Sequence, residues 1–484
     1  MEKAEDTTTS QNSREEENIS VEDVQDVDAQ WDRHPKNALN LPLGKKFILM
    51  AMVSSTAFLT TAASSVVSLA QLPIERDFDV TETASLLPLS LYLFAIAFGP
   101  VVGGPLSETV GRMPVYYFGF PLGALFTLGA GLTKNFGALC FLRFVAGLCW
   151  APMLTVAAGS IVETFQPATR GLMMAVFIFM PFLGPGFGPI FGAYAVSQHG
   201  WRWTQWVLLF ISVFCAILIA LTPETFPPIV KRRIALKGES DSAPPPPVTQ
   251  RIRQFVVIGL VRPVHMFFTE PIISFICLYV AVNFGVLFSF FAAVPYMVET
   301  VYGFNTEQSG LVFLSIVVGS FLGLITIFAC DILLYRPKAP RYPPGKILPE
   351  HRLYSAMIGS FGLPIGLFWF AWTAKSSVSW ASPVVAIVPY AWGNLCVFVA
   401  TAQYVADTYH GSVVASASSS MTLARYGFAG AFPLFISKMY TSMGLDWAIS
   451  LFGFVTLFLL PIPLVLFKYG PQIRAKSRYP TIEY

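Results

Sequence analysis

The chain has 484 residues, of which 54% are hydrophobic and 12% are charged, and its formal net charge is +3. The charged fraction is about half that of a soluble domain, and apolar runs near the ~20-residue length that crosses a bilayer recur along the chain. The composition therefore excludes a soluble globular protein and indicates a polytopic protein of the lipid bilayer. Basic segments beside apolar runs are explained by anionic lipid, so we expect no nucleic-acid partner.

The chain begins with a polar stretch and continues with twelve apolar runs, each of which we predict to be a transmembrane helix. A segment that crosses lipid must satisfy its own backbone hydrogen bonds, as a helix does. The runs lack the ~10-residue alternating pattern of a β-barrel. The predicted spans are 47–71, 86–105, 115–133, 137–162, 172–196, 203–222, 271–296, 309–330, 353–374, 381–406, 413–436 and 447–468.

Lysine and arginine are unevenly distributed between the segments that connect these spans. If both termini face the cytoplasm, the cytoplasmic segments hold 24 of the 31 basic residues and the outer loops hold 5. This bias predicts cytoplasmic termini. The first outer loop is acidic instead, with Glu75, Asp77, Asp79 and Glu82.

The spans divide into two groups of six, separated by a polar segment. We predict an all-α membrane protein with a disordered acidic cytoplasmic tail (1–46), an N-terminal six-helix half (47–222), a cytoplasmic linker loop (223–270), a C-terminal six-helix half (271–468) and a cytoplasmic tail (469–484). The linker contains four consecutive prolines, Pro244 to Pro247, and is too polar to form a core. Two six-helix halves are typical of transporters that bind substrate at the midplane between repeats.

Residues 103–116, GGPLSETVGRMPVY, lie between spans 2 and 3. They resemble the signature loop of the major facilitator superfamily in Gly104, Leu106, Glu108, Gly111 and Arg112. Glycine allows a tight reversal at the membrane face, and the acid and arginine could pair or cap helix ends. The resemblance implies that this loop gates one side of the protein. The family usually has Asp at the position of Glu108, and an ordinary polar turn is the alternative.

Two arginines lie within predicted spans, Arg143 in span 4 and Arg425 in span 11. Arg143 and Gly147 match an Arg–Gly element of the same superfamily. A guanidinium group is costly in hydrocarbon and should face the bundle interior or a water-filled cavity. The functional interpretation is proton coupling or stabilisation of a buried partner; the alternative is a structural arginine bonded to backbone carbonyls.

Span 5 carries the sequence GPGFGPIFGA at residues 184–193. It resembles the antiporter-type motif found in exporters of the superfamily, in Gly184, Gly188, Pro189 and Gly192. Glycines four residues apart share one helix face, so a neighbouring helix can approach closely. A smooth, bent face would suit two halves that rock over each other; tight packing without directional meaning is the alternative.

Further stretches narrow the resemblance to the fungal drug:proton antiporters with twelve spans. They are GWRWTQW at 200–206, PETFPPIVKRRIALK at 223–237, TEPI at 269–272 and PEHRL at 349–353. The resemblance implies a monomeric major facilitator that exports small amphipathic or hydrophobic organic compounds (drugs, toxins or a secondary metabolite) by proton antiport with alternating access. It implies the plasma membrane, with the vacuolar membrane as the alternative, and no cofactor or metal.

Substrate contacts are expected among polar or aromatic residues deep in the spans. The acids lie at span ends, which counts against polyamine substrates and leaves the proton site open. An importer or uncoupled facilitator remains the main alternative. A membrane-embedded transferase is disfavoured because the five histidines lie outside the spans and no acidic pair recurs. The cavity candidates are Tyr92, Tyr279, Asn283, Phe290, Tyr390, Asn394 and Gln403.

Overall fold

The computed structural model describes residues 31–235, 261–342, 347–410 and 412–481, and within them the protein is built of helices. The α-helices of the first part are α1 (Leu43–Ser65), α2 (Gln71–Phe78), α3 (Glu82–Ser85), α4 (Leu87–Ala97), α5 (Gly99–Val110), α6 (Arg112–Leu132), α7 (Phe136–Thr164), α8 (Pro167–His199), α9 (Trp203–Leu221) and α10 (Pro227–Ala235).

The second part has the same character. Its α-helices are α11 (Arg262–Thr269), α12 (Pro271–Tyr302), α13 (Thr306–Leu311), α14 (Leu314–Cys330), α15 (Tyr354–Gly359), α16 (Gly362–Thr373), α17 (Ala381–Thr408), α18 (Ser412–Met443), α19 (Leu445–Leu459) and α20 (Pro461–Arg474). Short 3₁₀ segments occur at Ala38–Asn40, Ser68–Ala70, Arg336–Arg341 and Pro349–Leu353, and a π-helical turn at Asp331–Tyr335.

Helix ends follow the sequence locally. The side chain of Asn135 accepts a hydrogen bond from the backbone N–H of Ala138 and caps α7. Asn305 and Gln308 form a reciprocal capping box at the start of α13. Gly200, Gly303 and Gly444 end or precede helices with positive φ angles, which glycine adopts at low cost.

In the described residues, ten helical segments are long and apolar enough to cross a membrane. The two other predicted spans correspond to α4 with α5 and to α18. The first pair is interrupted at Phe98, while α18 is long but rich in Ser and Thr. The number twelve therefore stays a prediction, whereas the all-α membrane character is confirmed.

The structure adds detail at three of the predicted boundaries, and the domain division itself stays a prediction. Residues 1–30 of the predicted tail lie outside the described residues, but the tail is ordered before residue 46, because Asn37 caps a 3₁₀ turn and is buried. The linker holds α10 and α11 at its ends, and residues 236–260 lie outside the described part. Helix α20 continues past residue 468 to Arg474, beyond the end of the predicted span.

The helices pack in two groups that meet along one interface. In the first group α1 lies against α8, and α7 lies against α4 and α6; in the second, α12 lies against α18, and α17 lies against α14 and α16. Contacts between the groups run from α8 to α13 and α14, and from α4 to α18. Large apolar side chains on the outer surface, such as Phe118, Phe210 and Phe458, are exposed, as expected for a bundle surrounded by lipid.

Candidate functional site

Arg143 lies two turns into α7 and has no solvent-exposed surface. Its Nη2 donates a hydrogen bond to the carbonyl oxygen of Ala63 in α1 (2.5 Å), and its guanidinium lies 4.4 Å from the ring centre of Tyr92 in α4. Its Nε and Nη1 have no hydrogen-bond partner within the described residues. The bonded carbonyl fits the structural interpretation, and the two spare donors leave a coupling role open as a prediction.

Gly147 is one helical turn beyond Arg143 and allows α4 to approach α7. A Cβ atom there would lie 2.9 Å from the carbonyl oxygen of Tyr92 and 2.9 Å from the Cβ of Ala95. The hydroxyl of Tyr92 donates to the carbonyl of Thr60 at 2.9 Å. Arg143, Gly147 and Tyr92 thus join α1, α4 and α7.

Arg425 lies in α18 and is enclosed by aromatic rings. Its guanidinium carbon lies 4.6, 4.2 and 4.4 Å from the ring centres of Phe284, Phe398 and Tyr426, respectively. The residue is 7% exposed, and its Nε has no hydrogen-bond partner in the part of the chain that the structure describes. Each such cation–π contact is worth about 0.5–2 kcal/mol, which stabilises the cation without neutralising it.

A cavity of about 160 Å³ lies between the two helix groups and opens onto Arg425. Helices α4, α7 and α8 contribute one side, and α17 and α18 contribute the other. Thr155, Ser418 and Thr422 supply hydroxyl groups, and Phe177 and Phe398 supply aromatic surface. Among the described residues that line it there is no Asp or Glu.

Arg112 forms the centre of an ion-pair cluster at one end of the bundle, which we call the arginine end. Its Nη2 lies 2.8 Å from Oε1 of Glu163, and its Nη1 donates to Oγ of Ser107. A Cβ at Gly159 would lie 2.8 Å from the guanidinium carbon, so glycine leaves room for this side chain. The cluster ties α5 and the start of α6 to the end of α7.

Glu224 caps the beginning of α6 at the same end. Its two carboxylate oxygens accept hydrogen bonds from the backbone N–H groups of Arg112 and Met113 (3.0 Å each), and one of them also accepts from Thr225 and Phe226. Negative charge at a helix N-terminus is favourable. This residue was missed by the sequence analysis, although its position directly after an apolar run in the PETF sequence was a usable signal.

We expect the Glu224→Ala substitution to lower the melting temperature of the purified protein, since it leaves four backbone donors without their carboxylate. Loss of a helix cap costs about 0.5–2 kcal/mol. Thermal unfolding in detergent measures this, with Glu108→Ala as the matched control because Glu108 is exposed. Equal melting temperatures for the two variants would contradict the capping role.

Arg352 makes a comparable contact in the second group. Its Nε lies 2.7 Å from Oδ2 of Asp407 at the end of α17, and its Nη1 lies 3.8 Å from Asp331. Arg336 also pairs with Asp331, at 2.8 Å. Each helix group therefore carries an arginine near a helix start that pairs with an acid at the end of another helix of the same group.

The opposite end of the interface holds a larger cavity of about 410 Å³, which we call the acidic vestibule. Glu75, Glu82 and Glu299 line it, together with Ser68 and Tyr440. Ser68 is 2% exposed, and its hydroxyl has no hydrogen-bond partner among the described residues. The described residues that line this cavity include no Lys, Arg or His.

In the signature loop, the structure differs in part from the expected pairing. Gly111 adopts φ 102°, which only glycine tolerates readily, so the predicted tight reversal at this glycine is present. Arg112 pairs with Glu163, however, while Glu108 is exposed. A Cβ at Gly104 would meet nothing within 4 Å, whereas one at Gly103 would lie 2.7 Å from Pro152. Close packing in this loop thus depends on Gly103.

Three of the four glycines of span 5 lie on one face of α8 and pack against α1. Cβ atoms at Gly184, Gly188 and Gly192 would lie 2.1, 2.1 and 2.0 Å from Thr61 Oγ1, Ser65 Oγ and the carbonyl oxygen of Val66, respectively. This face is turned to a helix of the same group. The other group is instead met by Gly186, whose Cβ would lie 2.6 Å from Val317, because residues two apart in a helix point in nearly opposite directions. Helix α8 continues through Pro189 without a break.

None of the seven predicted cavity residues is among the described residues that line the central cavity, and six of them lie in the second group. Tyr279 donates to Ser360 Oγ (2.9 Å), Tyr390 donates to the carbonyl of Asn283 (2.5 Å), and the ring of Phe290 packs against Tyr390. The side-chain amide of Asn283 and Nδ2 of Asn394 have no partner in the described residues. Gln403 lines a small void at the arginine end. Substrate contact by these residues stays a prediction.

Two packed helix groups, with a cavity between them and ion pairs at one end, define a membrane transport protein. The chain belongs to the Major Facilitator Superfamily, whose family model matches residues 52–433. Members of this family are transporters and not enzymes, so the chain is a membrane-embedded transporter of a small molecule.

Three similar proteins come from fungi. The MFS-type transporter traF of Penicillium crustosum is 35% identical, with 97% of each chain covered. The efflux pump FUB11 of Gibberella moniliformis is 35% identical over 92% of this chain and 76% of its own. Polyamine transporter 4 of Saccharomyces cerevisiae is 35% identical over 94% of this chain and 73% of its own.

A solved structure supports the fold. The human organic anion transporter MFSD10 superimposes with a TM-score of 0.61 at 15% identity, covering 86% of this chain and 99% of that one. At this identity the likeness shows the fold alone, and it confirms the predicted major facilitator fold.

Proposed function

We propose that the protein is a secondary exporter of small amphipathic or hydrophobic organic compounds, driven by proton entry through alternating access. The observation that carries the proposal is the central cavity, which is lined by both helix groups and lies between the arginine end and the acidic vestibule. Relatives named as an efflux pump and as transporters of biosynthesis clusters support export.

In this proposal the two helix groups are the N- and C-terminal halves, and they rock around the cavity. The arginine end faces the cytoplasm with both termini, in agreement with the distribution of basic residues. The Arg112–Glu163 and Arg352–Asp407 pairs hold that end closed in one conformation. The protein acts as a monomer in the plasma membrane, with the vacuolar membrane as the alternative.

Accumulation assays in yeast cells that lack their own drug pumps test export. The probes are cationic rhodamine 6G, neutral 1-naphthamide and anionic 1-naphthoate. Cells that express the chain are expected to accumulate less of at least one probe, and an uncoupler is expected to abolish the difference because it removes the proton gradient. Empty-vector cells are the control.

Three results would contradict parts of the proposal. Higher accumulation in expressing cells would identify an importer. Lower accumulation that persists with the uncoupler would argue against the proton gradient as the driving force. Equal accumulation of all three probes would argue against export of such compounds.

A further inference from the structure

The central cavity contains a buried positive charge that its described lining does not compensate. Arg425 is 7% exposed, its closest recorded contacts are three aromatic rings, and no carboxylate is among the described residues that line the cavity. A buried charge normally requires a partner of opposite charge or a full set of hydrogen bonds. The missing counter-charge is what a bound anion would supply.

Hydroxyl groups lie beside Arg425 and can donate hydrogen bonds to the oxygens of such an anion. Ser418 and Arg425 lie along the same face of α18 with Thr422 between them, and the hydroxyl of Thr422 donates to the carbonyl oxygen of Ser418 (3.0 Å). From the facing group, Thr155 presents a hydroxyl whose oxygen has no hydrogen-bond partner in the described residues. Hydroxyl and guanidinium donors together can bind the two oxygens of a carboxylate.

The remainder of the cavity is apolar and aromatic. Phe177 and Phe398 line it, and the described lining includes Ile96, Leu154 and Ile178. At about 160 Å³ it is smaller than the pockets that hold drug-sized ligands. It therefore suits a compact ring system that carries a single acidic group.

A cationic substrate would meet the opposite situation. Arg143 is a second buried guanidinium, held in α7 near Tyr92. An ammonium group brought to the central cavity would be repelled by Arg425 and would find no acid among the described residues that line it. Selection against cations thus results from the same side chains that would hold an anion.

We propose that the central cavity selects small aromatic carboxylates, with the Arg425 guanidinium as the anchor and the hydroxyls of Thr155 and Ser418 beside it. This proposal rests on the proposed export function and names its substrate class. The carboxylate is ionised at neutral pH, since carboxyl groups titrate near pH 4, so it enters the cavity as the missing counter-charge.

Equilibrium binding to the full-length protein in lipid nanodiscs tests the proposal. The probes are tritiated 1-naphthoate and its neutral isostere 1-naphthamide. The wild-type protein is expected to bind the acid about tenfold more tightly than the amide, or better, as charge-assisted hydrogen bonds in a buried site allow. Weaker or equal binding of the acid, or binding of neither probe, would overturn the proposal without any variant.

Substitution at Arg425 then assigns the anchor. Arg425→Gln is expected to lower the affinity for naphthoate about tenfold and to leave naphthamide binding unchanged, and Arg425→Lys is expected to restore part of the loss. Arg202→Gln is the matched control, because Arg202 is half-exposed and paired with Asp77. Unchanged naphthoate binding in Arg425→Gln would overturn the assignment, as would an equal loss for both probes.

The accumulation assay separates this proposal from the export function. If cells export rhodamine 6G or naphthamide but the purified protein does not bind naphthoate, the export function stands and the carboxylate site is refuted. If the protein binds naphthoate tightly in nanodiscs but changes the accumulation of no probe in cells, the carboxylate site stands and the export function is refuted.

Discussion

The Gly192→Ala variant is expected to be markedly less stable than the wild-type protein and to accumulate poorly in membranes. A single added methyl group would lie 2.0 Å from the carbonyl oxygen of Val66, which is backbone and cannot rotate away. Helices α1 and α8 would have to separate along a contact that also includes the hydrogen bond from Ser65 Oγ to the Gly184 carbonyl. Overpacking of this kind costs about 1–3 kcal/mol, and more where the backbone must move.

Thermal size-exclusion chromatography of a fluorescent fusion measures this effect. Gly171→Ala is the control within the same helix, because a Cβ at Gly171 meets nothing within 4 Å. Alanine at this position gains up to about 1 kcal/mol of helix propensity over glycine. The Gly171→Ala variant is therefore expected to be as stable as the wild-type protein or slightly more stable. Indistinguishable melting curves for the two variants would show that α1 and α8 are not in such close contact.

The Arg112→Gln variant is expected to lose stability and transport together. The side chains of Arg112 and Glu163 are only 11% and 12% exposed, and removal of one partner from a buried ion pair costs about 3–5 kcal/mol because the other charge is left uncompensated. Glu163→Gln should have a similar effect. The double variant Arg112→Gln/Glu163→Gln should lose less than the sum of the two single variants, since no lone charge remains.

Melting temperatures and probe export from cells, measured on all four members of this cycle, give the coupling between the two residues. Glu108→Gln serves as an acid-to-amide control at an exposed position of the same loop, where changes usually stay within about 0.5 kcal/mol. If the losses of stability and export in the two single variants add up in the double variant, the two residues do not interact, and the pair cannot hold the proposed cytoplasmic end closed. A severe defect in Glu108→Gln would instead support the pairing of Glu108 with Arg112 that the sequence suggested.

The ten spans found in the described residues were predictable because the bilayer dictates them. Lipid requires long apolar helices, and the arginines Arg143 and Arg425 had to face the interior because of their charge. The rotation of each helix about its own axis was not predictable, since it is determined by packing against neighbours. The spacing of Gly184, Gly188 and Gly192 predicts a shared face, but nothing in the spacing says that α1 lies against it.

The ion-pair partner of Arg112 also could not be predicted from the sequence. Glu108 is nearby in sequence and was the natural choice, whereas Glu163 is 51 residues away and is brought in by the antiparallel packing of α6 and α7. Tyr279, Asn283 and Tyr390 were predicted to contact substrate because they carry polar groups deep within the predicted spans. Packed helices also bury such groups between themselves, and only the three-dimensional arrangement separates those from the lining of a cavity.

The acidic vestibule would affect how fast a released carboxylate rebinds from the outside. Fields from clustered charges change the local concentration of small ions by about tenfold or more. Glu75, Glu82 and Glu299 would therefore deplete anions at the very mouth through which the substrate leaves. Rebinding of a released carboxylate from the outside is therefore slowed, and the outward passage of the anion must cross the same field. Both effects should fade in concentrated salt, where screening shortens the reach of the three charges.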